Sequence, residues 1–426
     1  MPWRRPPQLV HFIGAVFADD RNPVNSSSSV DFHADSLRSG QVRLAIQPCP
    51  ASLFPGMADQ PATTPRLRSL DALRGFDMLW IVGLAELFHQ FAKVTKAGWL
   101  EAWSVQLEHV PWEGLRAYDL IFPLFMFLSG VAVPYAFGKK LERGDSRGAL
   151  LAGVWKRVVI LVLLGIVYNG GLQLKFETQR YASVLGQIGL AYGIAASIFL
   201  ITSTWKGRAI WCGGILAAIA GLQLLFPVPG HGAGVLTPDG IVNAWLDQML
   251  LPGRLHGRVF DPEGLLCIVS AAALTLGGVI TGDHVKSAGS PSHTTAARLL
   301  VAGVGLLIAG WLCWKFGYPP IKSAWTTTFN LLAGGICIWL FTAFHLAIDF
   351  RPQSKWSFPL EVIGMNSLTI YLVERVVPLP EISAFFFGGI ARLSGAWGDA
   401  VLIAGILLIE WLLLWFLWKK RVFLRV

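Results

Sequence analysis

Charge is what this sequence has least of: Asp, Glu, Lys and Arg make up 14% of its 426 residues, against roughly 25% in soluble domains. A chain so poor in charge and 54% hydrophobic has lipid for much of its solvent. Cysteine is scarce too. Of five, Cys212, Cys267, Cys313 and Cys337 lie within apolar runs and Cys49 in the irregular N-terminus, a scatter with neither metal spacing nor a disulfide framework, so no metal is expected. There is no Walker loop, no dinucleotide glycine fingerprint after a strand and no HExxH, which leaves ATP-driven pumping and zinc proteolysis without support. The net charge of +9 is dispersed in short clusters between apolar runs, a pattern of topology signals rather than of a nucleic-acid surface.

What the sequence does have is aromatic and small: eighteen Trp and forty-five Gly, residues that collect at membrane interfaces and inside packed membrane helices. The expected fold is all-α, a polytopic membrane helical bundle. With about 20 apolar residues per crossing, ten spans fall near 75–92, 119–138, 151–169, 184–203, 208–226, 264–282, 298–316, 325–348, 358–378 and 397–418. The Gly-broken stretch 379–396 reads as a re-entrant or interfacial segment, or as an eleventh span. Residues 1–65 read as a disordered extension or an early start codon rather than a cleaved leader, because His11 interrupts the only short apolar run. The domain proper is 66–426.

Orientation follows from Lys and Arg in short loops. Arg66, Arg68 and Arg74 precede the first span, Lys139 to Arg157 follow the second, and Lys419, Lys420 and Arg421 follow the last. These loops and both termini are expected to be cytoplasmic. The connections 93–118 and 227–263 then face outward.

Candidate residues cluster at span boundaries. Ser69 can cap the first helix, and Asp71, Arg74 and Asp77 follow at three-residue spacing, either a self-neutralised helix entrance or, with Arg68, a set of cationic donors for an anionic cytoplasmic ligand. Glu86 and His89 stand near the outer end of that helix, where burying ionisable groups is costly. In LEHVPWEGLRAYDLIFPLF, residues 107–125, a short loop brings Glu108, His109, Glu113 and Asp119 to the mouth of the second span. An imidazole accepts a proton near neutrality, so His109 is a candidate base, with Asp119 orienting it or bonding to backbone. Asp261 and Glu263 open the sixth span, where acids suit a helix N-terminus. Asn366 and Ser367 lie in the ninth, as interhelical hydrogen-bond partners or ligand contacts.

RSLDALRGFDM, HVPWEGLRAYDLIFPLFMFLSG, WKRVVILVLLG, VLGQIGLAY, DPEGLLCIVSAAALTLGG, PPIKSAWTTTF and GMNSLTIY occur in that order between about residues 66 and 418. In this the sequence resembles the heparan-α-glucosaminide N-acetyltransferase family. The resemblance implies transfer of acetyl from cytosolic acetyl-CoA, across the membrane, to an amino sugar or glycan on the far side. His109 occupies the place of the family's catalytic histidine, while Ala85, followed by Glu86, stands where the family has an asparagine. On this reading Arg68, Arg74, Lys156 and Arg157 hold the coenzyme near the cytoplasmic face, with Ser367 also on it. Glu86, Asp119 or Glu263 orient the histidine or bind the acceptor, joined by His89, Glu113 and Asp261. Asn366 or Ser367 donates to the developing oxyanion. Direct transfer and an acetyl-histidine intermediate are both open, and a homodimer suits the family. A bacterial inner membrane is the expected location. The readings kept beside this one are a transporter of a small polar solute and an O-acyltransferase of cell-wall polysaccharide.

Overall fold

A computed structural model describes residues 67–351 and 355–424. The chain divides into two units, Met1–Thr63 and Thr64–Val426; the expectations for residues 1–65 lie outside the described residues. Among those described, the fold is helical with three isolated β-bridges. The helices are α1 (Arg68–Leu79), α2 (Ala85–Thr95), α3 (Gly98–Gln106), α4 (Ile121–Glu142), α5 (Arg147–Tyr168), α6 (Val184–Ile201), α7 (Trp205–Leu225) and α8 (Val242–Leu250). They continue with α9 (Leu265–Ser287), α10 (His293–Lys315), α11 (Thr327–Phe344), α12 (Phe358–Met365), α13 (Ser367–Val376), α14 (Leu379–Leu393) and α15 (Gly398–Lys419).

Among the described residues, eight helices are long and apolar enough to cross a membrane, or nine if α13 and α14, bent by 82°, count as one span. Eight of the ten expected spans coincide with these helices. The other two are broken. Residues 75–92 fall on α1, a π-turn over Trp80–Leu84 and α2, because Gly83 takes φ of 136°, a conformation that only glycine adopts cheaply. Residues 358–378 divide at Asn366, which ends α12 and begins α13. The ambiguous stretch 379–396 forms α14.

Helix starts follow from hydroxyl caps. Ser146, Ser183, Thr204 and Thr326 each accept the backbone N–H three residues on, opening α5, α6, α7 and α11. Ser69 does not cap α1, contrary to expectation. It sits inside the first turn, and its N–H donates to Asp349 Oδ1 at 3.2 Å, so the needed acceptor comes from the π-turn His345–Asp349 that follows α11.

Helices α4, α6, α9 and α11 form the interior, whereas α5, α7, α10 and α15 turn most of their apolar surface outward. Between membrane helices the hydrophobic effect is weak, and close packing of small residues takes its place. A Cβ on Gly130 would lie 1.9 Å from Thr275 O of α9, and one on Gly278 2.0 Å from Phe127 O of α4. Helices α1 and α12 approach as closely through Gly75 and Gly364.

Successive connections meet at alternate ends of the bundle. At one end, the loop before α4 pairs with the α10–α11 loop through the bridge Glu113 to Ile321, and Arg180 of the α5–α6 loop pairs with Asp261 before α9. At the other, Arg147 at the start of α5 donates to Leu200 O, Arg208 of α7 meets Asp283 of α9, and Arg68 meets Glu361.

Candidate active site

The loop 107–116 folds onto a single carboxylate. Asp119 lies in the 3-10 turn Ala117–Leu120 that leads into α4 and is 1% exposed. Its Oδ2 accepts the N–H groups of Arg116 at 3.1 Å and Val110 at 3.4 Å, which closes the loop, while Oδ1 stands 2.8 Å from His109 Nδ1. In the tautomer whose Nδ1–H donates to that carboxylate, the neutral imidazole has its free lone pair on Nε2. The ring is accessible: the His109 side chain is 57% exposed, with Tyr118 packed on it at 4.8 Å between centroids. Such a geometry can orient a general base.

A second loop completes the cluster. Gly114 N donates to Pro320 O at 2.9 Å, in a turn where Gly114 needs φ of 121°, and the bridge to Ile321 sets the register. Lys322 is thereby brought to 3.0 Å from His109 Nδ1 and 3.3 Å from Asp119 Oδ1. Burial pulls the Lys322 ammonium below its ordinary value, and Asp119 and Glu263 oppose that pull.

At the same end, Arg180 reaches Asp261 through Nε at 2.8 Å and Nη2 at 2.5 Å, and also contacts Glu263. Against the upward push of burial, Arg180 and backbone donors hold the Asp261 carboxyl below the usual range. Burial pushes Glu263 up to about 7. Asp247 of α8 stands behind, accepting the N–H groups of Asp261 at 3.2 Å and of Leu265, the first residue of α9, at 3.0 Å. Tyr168, Arg180, Arg254, His256 and Arg375 line a cleft of about 340 Å³ here.

A larger cavity, about 390 Å³, lies between α1, α4, α5, α6 and α13. Along α4 its lining runs from Phe122 to Ala136, which at 1.5 Å per residue is about 21 Å. Phe122 is one turn from Asp119, and Tyr371 lines the cavity while stacking on Tyr168 of the cleft, with centroids 4.8 Å apart. Farther along are Arg74, with Nη2 3.4 Å from Leu128 O and Nη1 3.7 Å from Asp71, and Arg157, whose guanidinium lies over the Tyr192 ring at 4.8 Å. The walls between are mostly apolar.

The structure therefore brings together His109 with Asp119, Asp261 with Glu263, and Arg74 with Arg157 and Ser367 on one cavity. Other expected site residues stand elsewhere. Lys156 is exposed and off the cavity, since adjacent residues on a helix point about 100° apart. Arg68 binds Glu361 at 2.8 Å and Ser357 at 3.2 Å. Asn366 is buried at the α12–α13 break, accepting from Thr369 Oγ1 at 3.4 Å, which suits a helix-junction role rather than a contact with the cavity. Glu86 is exposed and accepts from Gln90 at 2.9 Å, His89 meets Ser104 at 2.5 Å, and Glu113 is exposed with its backbone in the bridge. Lys322 and Arg180 were missed. The signal for Lys322 was present, as the lone charge in PPIKSAWTTTF.

The sequence profile of the acyltransferase domain family matches residues 67–417. The chain is similar to the heparan-alpha-glucosaminide N-acetyltransferase of Homo sapiens, 24% identical over 380 residues that cover 74% of this chain and 55% of that protein. The enzyme of the same name from Mus musculus is 23% identical over 422 residues, covering 84% of this chain and 61% of that protein. The alignments thus span little more than half the length of these relatives. With a profile match running from the first described helix into the last, on a bundle of membrane-length apolar helices, the chain belongs to the acyltransferase domain family as a transmembrane acyltransferase.

Proposed function

We propose that this acyltransferase moves acetyl from cytosolic acetyl-CoA to the amino group of a sugar or glycan on the opposite side of the membrane, with His109 as general base. The observation that carries the reading is the oriented His109–Asp119 pair, one helical turn from an apolar cavity that bears Arg74 and Arg157 farther along. The apolar walls suit a thin acyl-bearing arm, and the two guanidiniums suit its phosphates. The similarity to proteins named as glucosaminide N-acetyltransferases supports an amino-sugar acceptor. The cleft of Tyr168, Arg254 and His256 offers hydrogen-bond donors to such a hydroxylated acceptor. On this reading the His109 end faces the periplasm or lumen, and the end carrying Arg68, Arg147 and Lys419 faces the cytoplasm.

The test uses purified protein in nanodiscs with acetyl-CoA and a panel of glucosaminides, following thiol release and product mass. An acetylated amine is expected. His109→Ala should lower turnover by ~10²–10⁴ while coenzyme A affinity persists. Absence of thiol release with every amine and hydroxyl acceptor would overturn the proposal; release with hydroxyl acceptors alone would favour O-acylation. Family membership favours acyl transfer over the transport reading.

A further inference from the structure

A lysine in a water-facing loop ordinarily keeps its ammonium in solvent, yet the Lys322 side chain is only 23% exposed. It is held by the pairing of its own loop with the His109 loop. Its Nζ closes a triangle with His109 Nδ1 and Asp119 Oδ1 whose sides are 3.0, 3.3 and 2.8 Å; in the tautomer with hydrogen on Nδ1, ring and ammonium both donate to Oδ1. The other charges facing this triangle are Arg116, which donates to His109 O at 3.3 Å and to Glu108 at 3.5 Å, and Glu263, which acts on Lys322. Tyr118 covers a face of the ring and itself feels Glu374 and Glu86.

The charge count decides what Lys322 does. An isolated Asp–His pair becomes neutral when the imidazole takes a proton, so the carboxylate alone would favour a resting imidazolium, which is not a base. With Lys322 present the carboxylate is already balanced, and the same proton leaves a net cation in a half-buried site. We propose that Lys322 is a positioning residue that keeps the His109 ring unprotonated between turnovers and makes its acquired proton easy to pass on. The second half rests on the acyl-transfer reading. There the acceptor N–H proton moves to Nε2 as the N–C bond forms; the C–S bond breaks, and the Nε2 proton goes to the departing thiolate.

Carbethoxylation of His109 by diethyl pyrocarbonate, read by mass spectrometry across pH, reports the unprotonated ring without requiring turnover. Removing one unit charge at this distance under nearly aqueous screening changes a proton equilibrium by about tenfold. The midpoint should therefore rise by about one pH unit in Lys322→Met and Lys322→Gln, and stay near wild type in Lys322→Arg. The acid limb of the kcat/KM profile should move in parallel. An unshifted midpoint in both neutral variants, in protein that still releases thiol, would overturn the role given to Lys322. A shifted midpoint in the variants, with a wild-type protein that releases no thiol, would overturn the acyl-transfer reading alone.

Discussion

At residue 119 an asparagine would keep the shape of the side chain and change what His109 meets. Asp119 Oδ2 closes the loop and Oδ1 stands 2.8 Å from the ring nitrogen Nδ1. In Asp119→Asn, an amide N–H turned toward Nδ1 would select the tautomer with hydrogen on Nε2, leaving no base. Turnover should fall by ~10²–10⁴ with coenzyme A binding preserved, which steady-state kinetics beside binding isotherms can check. His109 and Asp119 were legible because they sit ten residues apart at one helix mouth. Lys322 was not, because its partner is 213 residues away in sequence and only the pairing of two loops joins them. Arg180 escaped notice for the same reason, since Asp261 and Glu263 are met from across the bundle.

Helices that are long and apolar announce themselves, and the eight such elements fall where hydropathy puts them. Elements set by backbone contacts do not. The break at Gly83 and the one at Asn366 interrupt stretches whose composition still counts as a span. The close crossing of α1 and α12 likewise depends on which glycines face each other. A Cβ at Gly364 would lie 1.8 Å from Asp71 O, so Gly364→Ala must push α1 away from α12 at a cost of about 1–3 kcal/mol. Because α1 carries Asp71 and Arg74 of the cavity, the variant should lose both thermal stability and coenzyme A affinity, measured by melting and by titration. The start of α9 gives a pH prediction. Burial pushes the Asp247 carboxyl up to about 6, above its unfolded value, so the folded protein binds that proton more tightly than the unfolded chain. The resulting stability is complete below pH ~4 and is lost as pH rises through about 6. The melting-temperature advantage of wild type over Asp247→Asn should accordingly be larger at low pH than at neutrality; an equal gap would contradict it.

For the whole molecule, alternation of the connections puts the His109 loop and the C-terminal Lys419–Lys420 pair at opposite ends of the bundle. In a cysteine-free background, Glu113→Cys should react with an impermeant thiol reagent added outside intact cells, and Lys420→Cys should react only after permeabilisation. Both reacting from one side would separate His109 from its proposed donor. The face-to-face rings of Tyr168 and Tyr371, one on the cleft and one on the cavity, bear on the same question. Two phenols in stacking contact leave no gap for a hydrated ion. On the acyl-transfer reading this pair stands at the boundary of the donor and acceptor chambers, and a vesicle loaded with this protein should hold a proton gradient as tightly as an empty one.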